Sequence, residues 1–404
     1  MQSTMMDVPL TVTALMRYGT SAYADREVVT CTPEGTRRQT YGVTGARAAR
    51  LANALRSLGV DADQRVATLM WNNAEHLEAY LAVPSMGAVL HTLNLRLDPG
   101  QLGYIGEHAG DYVIIVDETL VPLLSQVLPA ITSVRHVIVK TLFGRTVTTD
   151  SATLAGPGRS VHDYEDLLAA ESEEFDWPEL DERSAAAMCY TSGTTGNPKG
   201  VVYSHRSTYV HSMGVCLGNT FALSERDRVL PVVPMVHANA WGLPYAAVMA
   251  GADLIMPDRF MQPEPLVRLI EAERPTVAGA VPTIWNEVLR YVRAHGGDLS
   301  SLRLVPCGGS AVPHALQEAY ESELGVRILQ AWGMTETSPL ASVAHAPAGA
   351  PKDEEWHYRD SAGRIVCIVQ ARLAGDGGVL LPHDGVAVGE VEVRGPSITG
   401  AYYR

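Results

Sequence analysis

The chain has 404 residues, too many for one ordinary core, and reads as two or three packed subdomains. Apolar residues make up 46% and charged residues 19%, a balance that excludes a disordered or fibrous chain. The net charge of -14 is spread without acidic or basic blocks, which speaks against a nucleic-acid or anionic-membrane partner and is read as serving solubility.

The N-terminus carries Asp7, lacks a basic segment and develops no apolar run, so no signal peptide is expected. Cys31, Cys189, Cys216, Cys307 and Cys367 are scattered with no paired spacing, as in a reducing, cytoplasmic compartment. Thr44 is read as the N-cap of a helix in which Ala48, Leu51, Leu55 and Leu58 repeat at helical spacing, with Gly59 as its stop. A strand is expected at Arg65 to Trp71 and a helix at Ala74 to Met86. Helix Gln101 to Ala109 then leads to strand Tyr112 to Val116, and helix Leu120 to Leu128 to strand Val134 to Val139. This succession of βα units predicts an α/β fold with mainly parallel sheets.

Thr146 to Gly158 and the acidic run Glu171 to Asp176 read as a surface connection, which places a first α/β subdomain at 1–180 and a second at 181–360. Within the second, Ala240 to Met256 is apolar but broken by Gly242, Pro244, Gly251 and Asp253, so it reads as buried core with no membrane-spanning segment. Helix Leu266 to Arg274, strand Thr276 to Ala280, helix Thr283 to His295 and strand Leu304 to Pro306 follow. From Gly363 the pattern changes to short β-rich segments with Gly-rich turns, so residues 361–404 form a small β subdomain.

Tyr190-Thr191-Ser192-Gly193-Thr194-Thr195-Gly196-Asn197-Pro198-Lys199-Gly200 carries the most chemistry. Its glycines allow close backbone approach, its hydroxyls can donate to phosphate oxygens, and Lys199 adds positive charge, which together make a phosphate cradle. Composition alone leaves open an ordinary hairpin loop, with Lys199 merely solvated. The loop is not a Walker A motif: Pro198 stands where that motif needs its Gly-Lys pair, and Val201-Val202-Tyr203 is β-like, with Ser204 a later N-cap.

Tyr190 to Gly200 resembles the glycine-rich signature of the adenylate-forming superfamily, which includes acyl-CoA synthetases. Ala331-Trp332-Gly333-Met334-Thr335-Glu336-Thr337 resembles its second signature, and Gly389 to Pro396 with Gly400 and Tyr402-Tyr403 its third, in family order. Trp71-Asn72-Asn73, His76-Leu77-Glu78 and Gly87 to Thr92 resemble bacterial medium- and long-chain fatty acyl-CoA synthetases.

The resemblance implies the large domain of that fold. It implies that Thr191, Ser192, Gly193, Thr194, Thr195 and Gly196 hold phosphate, that Trp332 stacks on adenine beside Ala331, Gly333 and Met334, and that Thr335 meets the α-phosphate. Glu336, with Thr191, would hold Mg2+, a hard cation suited to carboxylate and phosphate oxygens; an exposed cap is the alternative for Glu336. Gly308-Gly309-Ser310-Ala311 would pass between adenine and acyl group, or form a plain turn. His237, Asn239, Trp241, Val281 and Met334 would line the acid. His237 either positions the carboxylate or is a satisfied core histidine, and Trp241 is either a gate or a core indole.

ATP, coenzyme A and a small hydrophobic carboxylic acid are therefore the expected partners, and the resemblance leaves room for a homodimer. A carrier protein as acyl acceptor and a non-catalytic nucleotide-binding module are the competing readings. Relatives continue to a ribose-binding aspartate and a small mobile domain with a catalytic lysine. Because the sequence stops at Arg404, the expectation is the large domain alone, with reduced activity.

Overall fold

A computed structural model of the protein describes residues 1–142, 153–191 and 196–404. Side-chain caps set several helix starts. Asn73 accepts from the His76 N–H at the head of helix Ala74–Ser85, and Ser204 accepts from the Ser207 N–H at the head of helix His205–Cys216. Asp98 does the same for helix Pro99–Ala109, whose end is closed by Gly110 at φ 70°. One expected cap is corrected. Helix Tyr41–Ser57 starts from Thr40, whose hydroxyl accepts from the Val43 N–H. Thr44 lies buried inside the first turn, where its hydroxyl donates to the Thr40 carbonyl at 2.9 Å.

Seven strands form the first large sheet, in the order Ser160–Asp163, His136–Lys140, Asp111–Asp117, Arg65–Leu69, Val89–Thr92, Ala185–Tyr190 and Gly200–Ser204. All neighbours are parallel except the last pair. The second has five strands, ordered Val277–Gly279, Arg228–Pro231, Asp253–Met256, Glu27–Thr32 and Gly35–Thr40, and only the final hairpin is antiparallel. Strands from either side of residue 180 thus share both large sheets. Parallel bridges from Val277 to Leu304 and from Ala280 to Cys307 carry the second sheet into a four-stranded one, ordered Val305–Cys307, Ile328–Gly333, Leu340–Val343 and Arg364–Ile365. The strands Leu380–Leu381, Gln370–Ala374 and Glu390–Arg394 make a small antiparallel sheet near the C-terminus.

Helix Leu243–Ala250 and strand Asp253–Met256 place most of the apolar run Ala240 to Met256 in the core, and no described helix is long and apolar enough to cross a membrane. Residues 146–152 of the expected connection lie outside the described residues. Glu171 to Asp176 runs along helix Tyr41–Ser57, tied by Arg50 to Glu173 at 2.9 Å and by Asn53 to the Ser172 carbonyl at 3.0 Å.

The two large sheets are pinned together by buried polar groups. Lys140 Nζ lies 3.1 Å from Asp117 Oδ1 and 3.8 Å from Asp258 Oδ2, and Asn73 donates to both carboxylates. Next to it, buried Asn72 donates to the carbonyls of Pro231 (2.7 Å) and Val233 (2.9 Å) and accepts from the Met235 N–H (2.8 Å). One amide therefore fixes the backbone that leads into residues 233–237. Asn72→Ala is expected to lower unfolding stability by about 2 to 3 kcal/mol, since it strips partners from buried backbone groups. Urea denaturation measures this, and an unchanged midpoint would show that the three bonds hold nothing in place.

Candidate active site

Open α/β sheets leave a crevice beyond the carboxyl ends of their parallel strands, where loops can present side chains and backbone dipoles. Here that crevice is a cleft of about 550 Å³. Tyr190 and Thr191 enter it from the end of strand Ala185–Tyr190, Asn94 and Arg96 from beyond Val89–Thr92, and Val233 and Pro234 from beyond Arg228–Pro231. Val281, Gly308 and residues 331–333 arrive from three further strand ends.

The phosphate-loop ends are clamped together. The Thr191 N–H donates to the Lys199 carbonyl (3.0 Å), and the Lys199 N–H donates to Thr191 Oγ1 (3.2 Å). Ser192, Gly193, Thr194 and Thr195 lie outside the described residues, and Gly196 and Lys199 are exposed. Lys199 does not line the cleft; its ammonium sits 4.8 Å from the centre of the Tyr402 ring.

Opposite, strand Ile328–Gly333 turns back into Leu340–Val343. A Cβ on Gly333 would lie 2.1 Å from the Pro339 carbonyl oxygen, so only glycine permits this hairpin. Trp332, Met334, Thr335 and Glu336 all face the cleft. The turn is held by Thr337, whose hydroxyl accepts from the Met334 N–H at 2.8 Å, and by Tyr203, whose hydroxyl donates to the Thr335 carbonyl at 2.7 Å. Gly308 runs so close to the neighbouring strand that a Cβ would lie 2.5 Å from the Ala331 oxygen, and Gly309 has φ 83°. Ser310 and Ala311 are exposed and fall outside the cleft lining.

The residues expected on the acid side ride on an unusual backbone. Ala238, Asn239, Ala240 and Trp241 have φ of 42°, 55°, 51° and 57°, followed by Gly242 at 72°. A left-handed turn of non-glycine residues is costly and clusters at functional sites. It directs the Trp241 ring against Gly279 and Gly308, at the cleft wall. Asn239, by contrast, is buried beneath, accepting from Cys189 Sγ at 3.5 Å. His237 opens to solvent within the cleft, yet the surrounding protein, followed by the charge of Arg96, lowers its pKa below the usual imidazole value. It is therefore neutral at neutral pH and can donate or accept a hydrogen bond.

Of the expected residues, the cleft gathers Thr191, His237, Trp241, Val281, Gly308, Gly309, Ala331, Trp332, Gly333, Met334, Thr335 and Glu336. Reading the sequence missed Asn94, Arg96, Phe221, Val233, Pro234, Ile284 and Leu340, which line the same space from distant segments. A larger hollow of about 730 Å³, lined by Thr220, His345, Arg364 and Cys367 among others, contains none of the signature residues. Among the described residues, no group of three or more His, Cys, Asp or Glu side chains could enclose a metal. A magnesium ion held mainly by nucleotide phosphates needs only one or two carboxylates, and Glu336 on the cleft wall fits that mode.

The family model described as AMP-binding enzyme matches residues 18–403. The chain belongs to the AMP-binding enzyme family. It is 39% identical over 404 residues to a 3-methylmercaptopropionyl-CoA ligase of Ruegeria pomeroyi, covering 99% of this chain and 74% of that protein. It is 41% identical over 405 residues to a long-chain-fatty-acid--CoA ligase of Thermus thermophilus, covering 99% of this chain and 72% of that one. A solved anthranilate CoA ligase in complex with anthranoyl-AMP shares the fold at a TM-score of 0.85 and 23% identity, covering 98% of this chain and 72% of its own. AMP-binding signatures thus sit on the fold of this family, as the sequence reading expects.

Within this family frame, Trp241→Ala is expected to weaken acid binding about tenfold or more while changing ATP affinity less than about twofold, because the ring lines the cleft wall where the acid is expected. Calorimetry with acid and ATP separately checks it. Equal losses for both ligands would show a packing indole instead.

Proposed function

We propose that the protein activates a hydrophobic carboxylic acid with ATP to an acyl-adenylate and transfers the acyl group to coenzyme A. The observation that carries this reading is the convergence, in one cleft, of Tyr190 and Thr191 at the head of the glycine-rich segment, the turn presenting Trp332, Thr335 and Glu336, and the apolar wall around Trp241. The acid's carboxylate oxygen attacks the α-phosphorus as pyrophosphate leaves; the thiolate sulfur of CoA then bonds to the acyl carbon and AMP leaves. Neither step needs a protein nucleophile. The chain's work is to align the carboxylate with the α-phosphorus and to place donors where negative charge grows. Thr191 and Thr335 would donate to phosphate oxygens, Trp332 would stack on adenine, and neutral His237 with Arg96 would orient the carboxylate. Magnesium, when bound at Glu336, would offset charge on the phosphate oxygens.

An apolar wall suits a fatty or aryl acid, and Glu336 is the single carboxylate among the described lining residues, already assigned to metal and not to an ammonium group. Five unpaired cysteines support a reducing, cytoplasmic setting. Incubation with ATP, magnesium, a medium-chain acid and either CoA or a carrier protein, read by mass spectrometry, tests the acceptor. Thioester on CoA is the expected product; thioester on the carrier alone would replace CoA in this reading.

A further inference from the structure

Residues 399–403 touch both the turn that carries Glu336 and the Lys199-Gly200 end of the glycine-rich segment. The Thr399 N–H donates to the Glu336 carbonyl at 2.9 Å, and the Tyr402 hydroxyl donates to Glu336 Oε1 at 2.6 Å. The Tyr402 ring lies under the Lys199 ammonium, 4.8 Å away. The Tyr403 N–H then donates to the Gly200 carbonyl at 2.8 Å, forming an antiparallel bridge at the end of the phosphate loop. The same tyrosine meets the edge of the His108 ring, whose Nδ1 is 2.7 Å from the Tyr190 hydroxyl.

A glutamate on a surface turn has three free torsions, and holding one rotamer for a ligand has an entropic cost at binding. A phenol donating to a carboxylate makes a strong charge-assisted bond that fixes the rotamer beforehand. It engages Oε1 and leaves Oε2 for another partner. A cation over an aromatic face is likewise restrained without being neutralised.

We infer that Tyr402 is a positioning residue for nucleotide binding: its hydroxyl aims Glu336 at the metal, and its ring holds Lys199 beside the phosphate loop. The inference rests on Glu336 being the magnesium carboxylate, and the test separates the two.

ATP affinity is measured by calorimetry with and without saturating magnesium for the wild type, Tyr402→Phe, Tyr402→Leu and Glu336→Gln. Tyr402→Phe keeps the ring and removes the hydroxyl, so it loses about tenfold of the magnesium-dependent gain in affinity while magnesium-free binding stays within about twofold. Tyr402→Leu loses the same gain and also weakens magnesium-free binding, because Lys199 is released. Melting temperatures of both variants stay near the wild-type value, since Tyr402 is 43% exposed. If Glu336→Gln retains the magnesium-dependent gain, the metal assignment fails and the inference with it. If Glu336→Gln abolishes the gain while Tyr402→Phe keeps it, the positioning role alone is overturned. Equal losses with and without magnesium in Tyr402→Phe would also overturn it, by showing a packing role.

Discussion

Replacing Glu336 with glutamine is expected to slow magnesium- and acid-dependent pyrophosphate exchange by about 10²- to 10³-fold, the usual consequence of removing one preorganised charge-stabilising group. The fold should hardly notice. Glutamine has nearly the same shape, its amide oxygen can still accept from Tyr402, and the Glu336 backbone carbonyl keeps its bond from the Thr399 N–H. What changes is the charge: a neutral amide is a weak ligand for a hard divalent cation. The melting temperature is expected to shift by less than about 2 °C. Wild-type exchange rates in Glu336→Gln would remove this carboxylate from the chemistry, and a large fall in melting temperature would make it a structural residue.

Stability is expected to fall steeply between about pH 6.5 and pH 4, because three buried histidines must stay neutral. His76 donates from Nδ1 to the Trp71 carbonyl (3.0 Å), which leaves Nε2 to accept from Thr68 Oγ1 (2.8 Å). His205 accepts from the Val12 N–H (3.2 Å), and His211 from the Leu340 N–H (3.1 Å). A protonated imidazole has no acceptor. Burial lowers each of these pKa values to about 4. In the unfolded chain they return to about 6.5. Each therefore contributes stability that is fully present above about pH 6.5 and is lost as the pH falls toward 4, amounting to about 3 kcal/mol per residue at full protonation.

Asp117 acts in the opposite direction. Burial, set against Lys140, raises its pKa to about 6, so below that pH it holds a proton that the unfolded chain lacks. It offsets one of the three histidines. These four groups together contribute a slope of about 3 kcal/mol per pH unit in the middle of this window, measurable by urea denaturation at a series of pH values. His76→Gln should remove about one proton from that slope, and a flat profile in the wild type would contradict the buried neutral assignment.

Much of this was legible in the sequence because the relevant signals are local. Ser204 announces its helix through a side chain that satisfies a first free N–H group, and the apolar spacing of Ala74 to Met86 marks another. Thr44 reads as a cap from its neighbours alone, but the helix starts one turn earlier at Thr40 and buries Thr44 within it. The left-handed turn at Ala238 to Trp241 could not be read, since alanine and tryptophan have no local preference for that region and tertiary contacts hold them there. The same limit applies to Asn239: its type suits a polar pocket, yet the turn faces it inward to Cys189. Arg96 reaches the cleft from beyond strand Val89–Thr92, Phe221 from the loop after helix His205–Cys216 and Ile284 from the first turn of helix Pro282–His295, a convergence that depends on the fold and not on any spacing along the chain.

The central claim is that this cleft joins a carboxylic acid to the α-phosphate of ATP. Acid-dependent exchange of labelled pyrophosphate into ATP, run across straight-chain and aryl acids and amino acids with the acyl-AMP followed by mass spectrometry, tests it most directly. Exchange is expected only when ATP, magnesium and a hydrophobic acid are all present, with the matching acyl-AMP detected. Tight ATP binding without acid-dependent exchange across the whole series, or exchange with amino acids alone, would contradict it.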